Sequence, residues 1–281
     1  MGETTRIEWT RSPDGTPGGT WNPWQGCTHV SPGCDNCYAE RLAKRTGHDF
    51  NVVRRSADAT FYAPLRWQKA LEKTGKQKRV FPCSIADFFH RGADAWRAEA
   101  WEIMGKTPNI IYLVLTKRID RAEAWYKVNG WLPNVWLGMS VESLAFVSRL
   151  DVLARIPAPV RFVSAEPLLG PLDLKPWLGS LCGEPCSCVL GQTLDQVIVG
   201  GESGPYARPM HPDWVRRIRD DCQAAGVPFF FKQWGEWVPF DHPSHGTHYE
   251  YVGEDKFAMK RVGKTRAGAT LDGREWGETP R

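Results

Sequence analysis

Residues 20–45 read TWNPWQGCTHVSPGCDNCYAERLAKR, and the rest of the chain is organised around this stretch. It carries Cys27, Cys34 and Cys37 in the spacing C-x6-C-x2-C, on a loop punctuated by glycine and proline that runs directly into a helical pattern at residues 38–44. The short second gap places two sulfurs within reach of one metal centre, and the glycines let the backbone fold closely around a bulky group. The stretch therefore predicts a metal site on a loop.

The number of thiols limits which metal group the loop could bind. A closed structural zinc site needs four protein ligands, whereas three thiolates on a four-iron cluster leave one iron free for a ligand that is not protein. We therefore favour a [4Fe-4S] cluster. The alternative is a zinc knuckle with His29 as fourth ligand, although C-x-H is a tighter spacing than zinc pairs usually have. A disulfide is the weakest interpretation.

Length and composition set the class of protein. The chain has 281 residues, of which 42% are hydrophobic, enough for one large domain or one domain with an appendage. The first residues carry no apolar run after a basic segment, and no stretch of 18 apolar residues occurs, so we expect a cytoplasmic protein without a membrane segment. In such a protein the eight cysteines are expected to be metal ligands or buried thiols.

Charge and aromatic content leave the partner open. A net charge of +4 and a pI near 8.6 describe a mildly basic protein, which does not by itself require a nucleic-acid partner. Most of the fourteen tryptophans are expected in the core, and a few could stack on bases.

From residue 79 onward, short apolar runs alternate with helix-like stretches. The runs span residues 79–85, 109–115, 134–139, 160–164, 196–199 and 227–231, and a strand near residues 20–24 would make seven. Near-continuous apolar strands separated by helices indicate a parallel sheet buried on both faces. We therefore predict an α/β fold, and favour a partial (β/α) barrel over an open doubly wound sheet.

The ends of the chain are predicted to belong to smaller elements. Residues 7–10 could form a short edge strand, and residues 239–281 are expected to be a C-terminal extension packed on a barrel of residues 1–238, with a hairpin near residues 249–259. Residues 170–195 form an inserted loop containing the motif CGEPCSC. Its Cys182, Cys186 and Cys188 could hold zinc or an auxiliary cluster, or be free thiols.

Chargeable residues follow each predicted strand. They are Asp87, Lys117, Arg118, Glu142, Glu166, Glu202 and Lys232. In a parallel barrel all these ends lie on one face, where active sites are built, so we expect the side chains to converge beside the cysteine loop. Hydrated loops and helix N-caps would also place polar residues there.

By residue type, Lys117 and Arg118 could clamp a carboxylate or phosphate. Glu142, Glu166 and Glu202 could bind an amino group or ribose hydroxyls. These five are the candidate catalytic residues.

Several motifs together carry a family resemblance over nearly the whole chain. They include WNPWQGC-x6-C-x2-CYAE, FPCSIADFFH, LTKRIDR, NVWLGMSVE, FVSAEPLLGP, IVGGESG and FFFKQWGEW. The sequence resembles the phage-type three-cysteine proteins that are distantly related to radical SAM enzymes. It departs from the usual C-x3-C-x2-C loop of those enzymes in its longer first gap and in Asn36, which stands where an aromatic residue usually precedes the third cysteine.

The resemblance implies a partial barrel of the radical SAM type, in which Cys27, Cys34 and Cys37 hold a [4Fe-4S] cluster whose open iron chelates S-adenosylmethionine. The residues it marks for contact with that cofactor are Tyr38, Asp87, Ser140, Glu142 and Glu202. The partners it implies are an electron donor and a three-Cys-motif partner protein.

The sequence thus predicts an iron–sulfur enzyme that cleaves S-adenosylmethionine and starts radical chemistry. A nucleic acid or nucleotide is the favoured substrate, and modification of a peptide is the open alternative. The alternative is a non-catalytic zinc protein that binds nucleic acid through Arg54, Arg55, Arg66 and exposed tryptophans.

Overall fold

The computed structural model describes residues 2–179, 193–240 and 248–280. The strands are Gly19–Trp21 (β1), Trp24–Gln25 (β2), Arg54–Arg55 (β3), Lys78–Pro82 (β4), Ile110–Thr116 (β5), Val135–Ser140 (β6), Arg161–Ala165 (β7), Gln196–Gly200 (β8), Phe229–Gln233 (β9), Trp237–Pro239 (β10), Tyr249–Val252 (β11), Phe257–Arg261 (β12), Thr270–Leu271 (β13) and Arg274–Glu275 (β14). The helices are Tyr38–Arg45 (α1), Asp58–Phe61 (α2), Ala63–Glu72 (α3), Asp94–Gly105 (α4), Ile119–Asn129 (α5), Arg149–Ala154 (α6), Pro212–Ala225 (α7) and Lys264–Ala267 (α8).

Seven strands form one sheet, in the order β1-β4-β5-β6-β7-β8-β9. Every neighbouring pair is parallel, so the chain must cross back between strands, and it does so through helices such as α4, α5 and α7. Because the order never reverses, successive right-handed crossovers place the helices on one face of the sheet. The predicted α/β fold, a partial (β/α) barrel of seven strands, is confirmed.

The two faces of the sheet carry separate apolar clusters. Val114, Leu137 and Val163 belong to the large cluster that packs under the helices. Leu113 and Trp136, one position away in sequence, belong to a second cluster on the inner face. Successive strand residues point to opposite faces, so near-continuous apolar runs are what a sheet covered on both sides requires.

Trp9 fills the inner face of the sheet. Its ring centroid lies 4.9 Å from that of Phe81 and 5.9 Å from that of Phe162. The predicted edge strand at residues 7–10 is wrong, since this segment forms a 3₁₀ turn, Glu8–Thr10, with Trp9 only 4% exposed. Burial of the indole inside the barrel outweighs the local preference of the segment for an extended strand.

The C-terminal segment adds a small antiparallel sheet. Its strand order is β10-β12-β11, so the predicted hairpin near residues 249–259 is present as β11 and β12. Farther along, Gly277 bridges to Phe230 of β9, and the carbonyl of Pro280 accepts a hydrogen bond of 2.6 Å from the buried Arg79 guanidinium. None of the helices in the described ranges is long and apolar enough to cross a bilayer.

The tryptophan side chains pack against the protein and are not fully exposed to solvent. All fourteen lie within the described ranges, and each is buried or half-buried. Arg55, one of the arginines assigned to nucleic acid in the alternative hypothesis, places its guanidinium 4.0 Å from the Phe61 ring centroid and pairs with Asp58 at 2.6 Å. Most of the indoles lie in the core, as expected, because burial of their large apolar surface is favourable, and a half-buried one such as Trp214 keeps part of its ring at the surface.

Gly138 of β6 tests how closely the inner face is packed. It stands beside Phe162 of β7, and a Cβ at this position would lie 2.2 Å from the Phe162 ring. We expect Gly138→Ala to lower the free energy of unfolding by about 1–3 kcal/mol, because the ring has to move within a close-packed interior. Urea denaturation measures the difference.

Gly277→Ala is the matched control. Its Cβ would meet the nearest atom, of the Phe230 ring, at an ordinary 3.9 Å. We expect a stability change within about 0.5 kcal/mol. Equal losses in the two variants would contradict close packing at Gly138.

Candidate functional site

Charged side chains continue the inner face of the barrel beyond the strand ends. Trp136 and Phe162 lie in the inner cluster, and the same alternation leads to Glu142 after β6 and Glu166 after β7. Lys232 of β9 likewise stands two residues after an inner-face phenylalanine, and its Nζ lies 2.8 Å from Glu166 Oε1. The carboxyl end of the barrel is therefore a charged mouth, as predicted from parallel strands.

The cysteine loop, residues 27–37, is attached to this mouth at three places, each through a charged side chain. The first is Arg118, at the end of β5. Its Nη1 donates to Cys27 Sγ at 3.4 Å, and its Nη2 donates to the carbonyl and hydroxyl oxygens of Thr28 at 2.8 and 3.0 Å. The start of the loop is thus held by a largely buried guanidinium.

Asp87 holds Arg118 in turn. The carboxylate is 5% exposed and accepts from Arg118 Nη1 at 3.1 Å, from the Thr116 hydroxyl at 2.8 Å and from the Lys117 backbone N–H at 3.0 Å. Both oxygens of Asp87 already have donors from the protein. Its assignment to the amino group of S-adenosylmethionine stays a prediction.

Glu142 makes the second attachment. Its side chain is 1% exposed, and its Oε1 accepts from Ser31 Oγ at 2.7 Å and from Lys117 Nζ. Gly33 lies flat against the carboxylate, since a Cβ there would sit 2.4 Å from the same oxygen. Within the described ranges Oε2 has no hydrogen-bond partner, and Arg149 Nη1 lies 3.7 Å from it.

Glu202 makes the third attachment through Arg208. Arg208 Nη2 donates to Glu202 Oε1 at 2.6 Å and to the carbonyl of Pro32 at 2.8 Å, while Asn36 Nδ2 donates to Glu202 Oε2 at 3.0 Å. Burial alone would raise the pKa of Glu202, but the hydrogen bonds from Arg208 outweigh it and hold that pKa below its usual value.

Sequence reasoning missed Arg208 and gave no structural role to Asn36. Arg208 follows β8 in a loop without periodicity, and its position eight residues after the strand carries no signal of its own. Asn36 stood out as a departure from the usual aromatic residue, and the contact with Glu202 accounts for it.

Three other candidates lie outside the loop attachments. Glu166 pairs with Lys232 and accepts from Gln233 at 3.3 Å. Tyr38 is 55% exposed, and its hydroxyl donates to the carbonyl of Ser84. Ser140 is buried at the end of β6. Their roles toward a cofactor stay predictions.

The donor set decides which metal group suits the loop. Cys27, Cys34 and Cys37 are free and partly buried. Burial and the charge of Asp87 raise the pKa of the Cys27 thiol to about 11, against the opposing effect of Arg118. His29, the fourth ligand of the zinc hypothesis, instead places its Nε2 2.8 Å from Glu40 Oε2.

Within the described ranges, no three His, Cys, Asp or Glu side chains lie close enough to hold a single metal ion. Three soft thiols without a fourth protein ligand are the donor set of a four-iron cluster that keeps one iron open. Cys182, Cys186 and Cys188 lie outside the described residues, so their metal site stays a prediction.

A cleft of about 510 Å³ opens beside the second and third attachments. Glu142 and Arg208 line it on the barrel side, and Phe146, Trp214 and Tyr251 add aromatic surface. Tyr251 comes from β11, so the C-terminal sheet forms one wall. The cleft thus combines a buried carboxylate, a guanidinium and aromatic rings.

The family described as "Protein of unknown function (DUF5131)" matches residues 4–280 of the chain. No curated protein matches its sequence.

Among solved structures, the chain is similar to spore photoproduct lyase complexed with dinucleoside spore photoproduct, with 12% identity, a TM-score of 0.46, and coverage of 93% of this chain and 73% of that chain. A mutant of that lyase with bound AdoMet and dinucleoside spore photoproduct is 12% identical, with a TM-score of 0.45 and coverage of 92% and 72%. The similarity is distant, so the function has to be argued from this chain's own residues.

Arg208→Gln tests the third attachment. The folded-state pKa of Glu202 lies below the unfolded value, near 4.3. The pairing therefore stabilises the protein above that pH, and the stabilisation is lost as pH falls through the folded-state pKa. We expect the substitution to lower the free energy of unfolding by about 1–3 kcal/mol at pH 7 and by less at pH 4. Urea denaturation at both pH values measures this.

Arg216→Gln is the control, because Arg216 pairs with Asp272 on the surface. We expect a loss below about 1 kcal/mol at pH 7. If Arg208→Gln destabilises the protein equally at both pH values, the pairing with ionised Glu202 is not the cause.

Proposed function

This chain belongs to the DUF5131 family of proteins of unknown function, and we propose that it is a radical-SAM-like iron–sulfur enzyme. The observation that carries the proposal is the attachment of a loop with three free thiols to the charged mouth of a partial barrel. Cys27, Cys34 and Cys37 would hold a [4Fe-4S] cluster. When bound, that cluster would supply the electron that cleaves S-adenosylmethionine and starts radical chemistry.

The protein's own part in this chemistry is to orient and to provide charge. The three attachments fix the backbone on which the thiols stand, so the ligands are positioned by buried side chains rather than by the loop alone. A cofactor bound at the mouth would meet carboxylates from β6 and β7 and the ammonium groups of Lys117 and Lys232. This distribution suits a ligand that carries both an amino group and a carboxylate.

Glu142 is the best candidate for a direct contact with the cofactor. Its Oε2 is buried at the edge of the cleft and has no hydrogen-bond donor among the described residues, and an unsatisfied carboxylate oxygen is costly unless a ligand or water supplies one. The ammonium and hydroxyl groups of S-adenosylmethionine are such donors. Glu202, in contrast, already receives hydrogen bonds from Arg208 and Asn36 at both oxygens.

For the substrate we propose a nucleic acid or nucleotide that reaches the mouth through the cleft. The aromatic rings of Phe146, Trp214 and Tyr251 offer stacking surfaces, and Arg208 offers a cation for a phosphate. An electron donor and a three-Cys-motif partner protein are the proposed partners.

Metal analysis of anaerobically purified protein tests the cluster. We expect roughly four irons per chain and a brown colour, with a spectral change when S-adenosylmethionine is added to the reduced protein. Cys27→Ala, Cys34→Ala and Cys37→Ala are each expected to lose most of the iron, because each removes one of the three ligands.

The control is Cys222→Ala, at a buried position of α7, which should retain the iron. A triple serine variant of Cys182, Cys186 and Cys188 assigns any iron beyond four. Stoichiometric zinc without iron, in protein never exposed to air, would overturn the proposal and favour a zinc-containing nucleic-acid-binding protein.

Glu142→Gln tests the cofactor contact. We expect the variant to keep its iron but to bind S-adenosylmethionine about 10–100-fold more weakly, since a carboxylate that accepts from the ligand is replaced by a neutral amide. Anaerobic spectral titration measures the affinity. Glu123→Gln, which alters an exposed pairing with Arg155, is the matched control. Equal affinities in the two variants would remove Glu142 from the cofactor site.

A further inference from the structure

The guanidinium of Arg118 is bound to the cysteine loop and to Asp87. It is therefore not available as the substrate clamp that was predicted for it. Its two terminal nitrogens make four contacts: Nη1 with Cys27 Sγ and Asp87 Oδ2, and Nη2 with the carbonyl and hydroxyl oxygens of Thr28. These nitrogens carry four N–H groups in a fixed plane, so the fork has no terminal donor left for a substrate.

Thr116 fixes both the backbone of Arg118 and the carboxylate that pairs with its guanidinium. The backbone N–H of Arg118 donates to the Thr116 hydroxyl at 2.9 Å, and the same hydroxyl donates to Asp87. The side chains of Arg118 and Asp87 are 11% and 7% exposed. A buried ion pair in which each partner makes further hydrogen bonds keeps one geometry, so the Cys27 sulfur faces a fixed donor.

We propose that Arg118 is a positioning residue that holds Cys27 in place and, through its hydrogen bond to the Cys27 sulfur, raises the reduction potential of the cluster. This inference rests on the proposed function. In the described ranges the neighbour of Cys34 Sγ is a neutral hydroxyl, Ser31 Oγ, at 4.0 Å. The charged donor Arg118 therefore acts on Cys27 and not on Cys34.

The direction of the effect follows from charge. Reduction adds an electron to the cluster and its thiolates, and hydrogen bonds to the sulfurs stabilise that more negative state. Asp87 pairs with the same guanidinium at 3.1 Å, and its negative charge opposes the charge of Arg118 at the sulfur. The donor 3.4 Å from the sulfur is therefore expected to act chiefly through the hydrogen bond.

The test is a redox titration of the cluster, followed by electron paramagnetic resonance, in the full-length protein. We expect a more negative midpoint potential in Arg118→Gln than in wild type. Arg121→Gln is the control, because it removes the same charge from the first turn of α5, where Arg121 instead donates to the carbonyl of Phe89 and pairs with Asp94. Its potential should equal that of wild type.

Arg118→Lys separates charge from hydrogen bonding and replaces Arg118→Gln if that variant does not fold. An ammonium keeps the charge but cannot reach all four acceptors, so we expect a smaller negative shift. Potentials in the Arg118 variants that match Arg121→Gln would overturn the role in tuning.

Hydrogen exchange in the metal-free protein is the second measurement. We expect residues 27–30 to lose protection in Arg118→Gln and to keep it in Arg121→Gln. Unchanged protection would overturn the role in holding the loop. A wild-type protein that takes up no iron would overturn the proposed function instead, and the exchange result would still decide whether Arg118 holds Cys27.

Discussion

The hydrogen bonds between the cysteine loop and three buried charged groups, Arg118, Glu142 and the Arg208–Glu202 pair, are the constraint on which the candidate site depends. A loop of glycine, proline and polar residues has little apolar surface with which to dock. Its position is therefore fixed by polar contacts. These contacts are strong because they lie at the carboxyl ends of the strands, where the charged side chains are largely buried. Each charge is partnered, which limits the cost of removing it from water.

The inner face of the barrel is packed with large side chains at the amino ends of the strands and is polar at their carboxyl ends, where the loop is attached. Trp9 and Arg79 occupy the inner face toward the amino ends of the strands, where Arg79 stacks 4.6 Å from the Trp136 ring. Farther along the same face, apolar residues give way to serine and then to the charged mouth residues. Every second residue of the strands points to the inner face, so the same set of positions supplies the core at one end and the candidate site at the other.

Two features of the site were unexpected from residue type alone. Asp87 and Arg118 had been assigned to ligands, yet the geometry pairs them with each other and with the loop. The C-terminal sheet, expected as a packed extension, also contributes a wall of the cleft through Tyr251. Charged residues near an active site can serve its scaffold as readily as its ligand.

The sequence alone determined the strands, their parallel arrangement and the edge at which the site lies. Strand and helix periodicities are local, and the apolar runs from residue 79 onward matched β4 to β9 closely because sheets buried on both faces leave little choice of residue. The three thiols were likewise evident from spacing. Which charge meets which partner was decided by the tertiary structure, since Arg118 meets Cys27 across 91 positions and Ser31 meets Glu142 across 111. Such pairings depend on where separate strand ends and loops come to lie, and no local pattern encodes that.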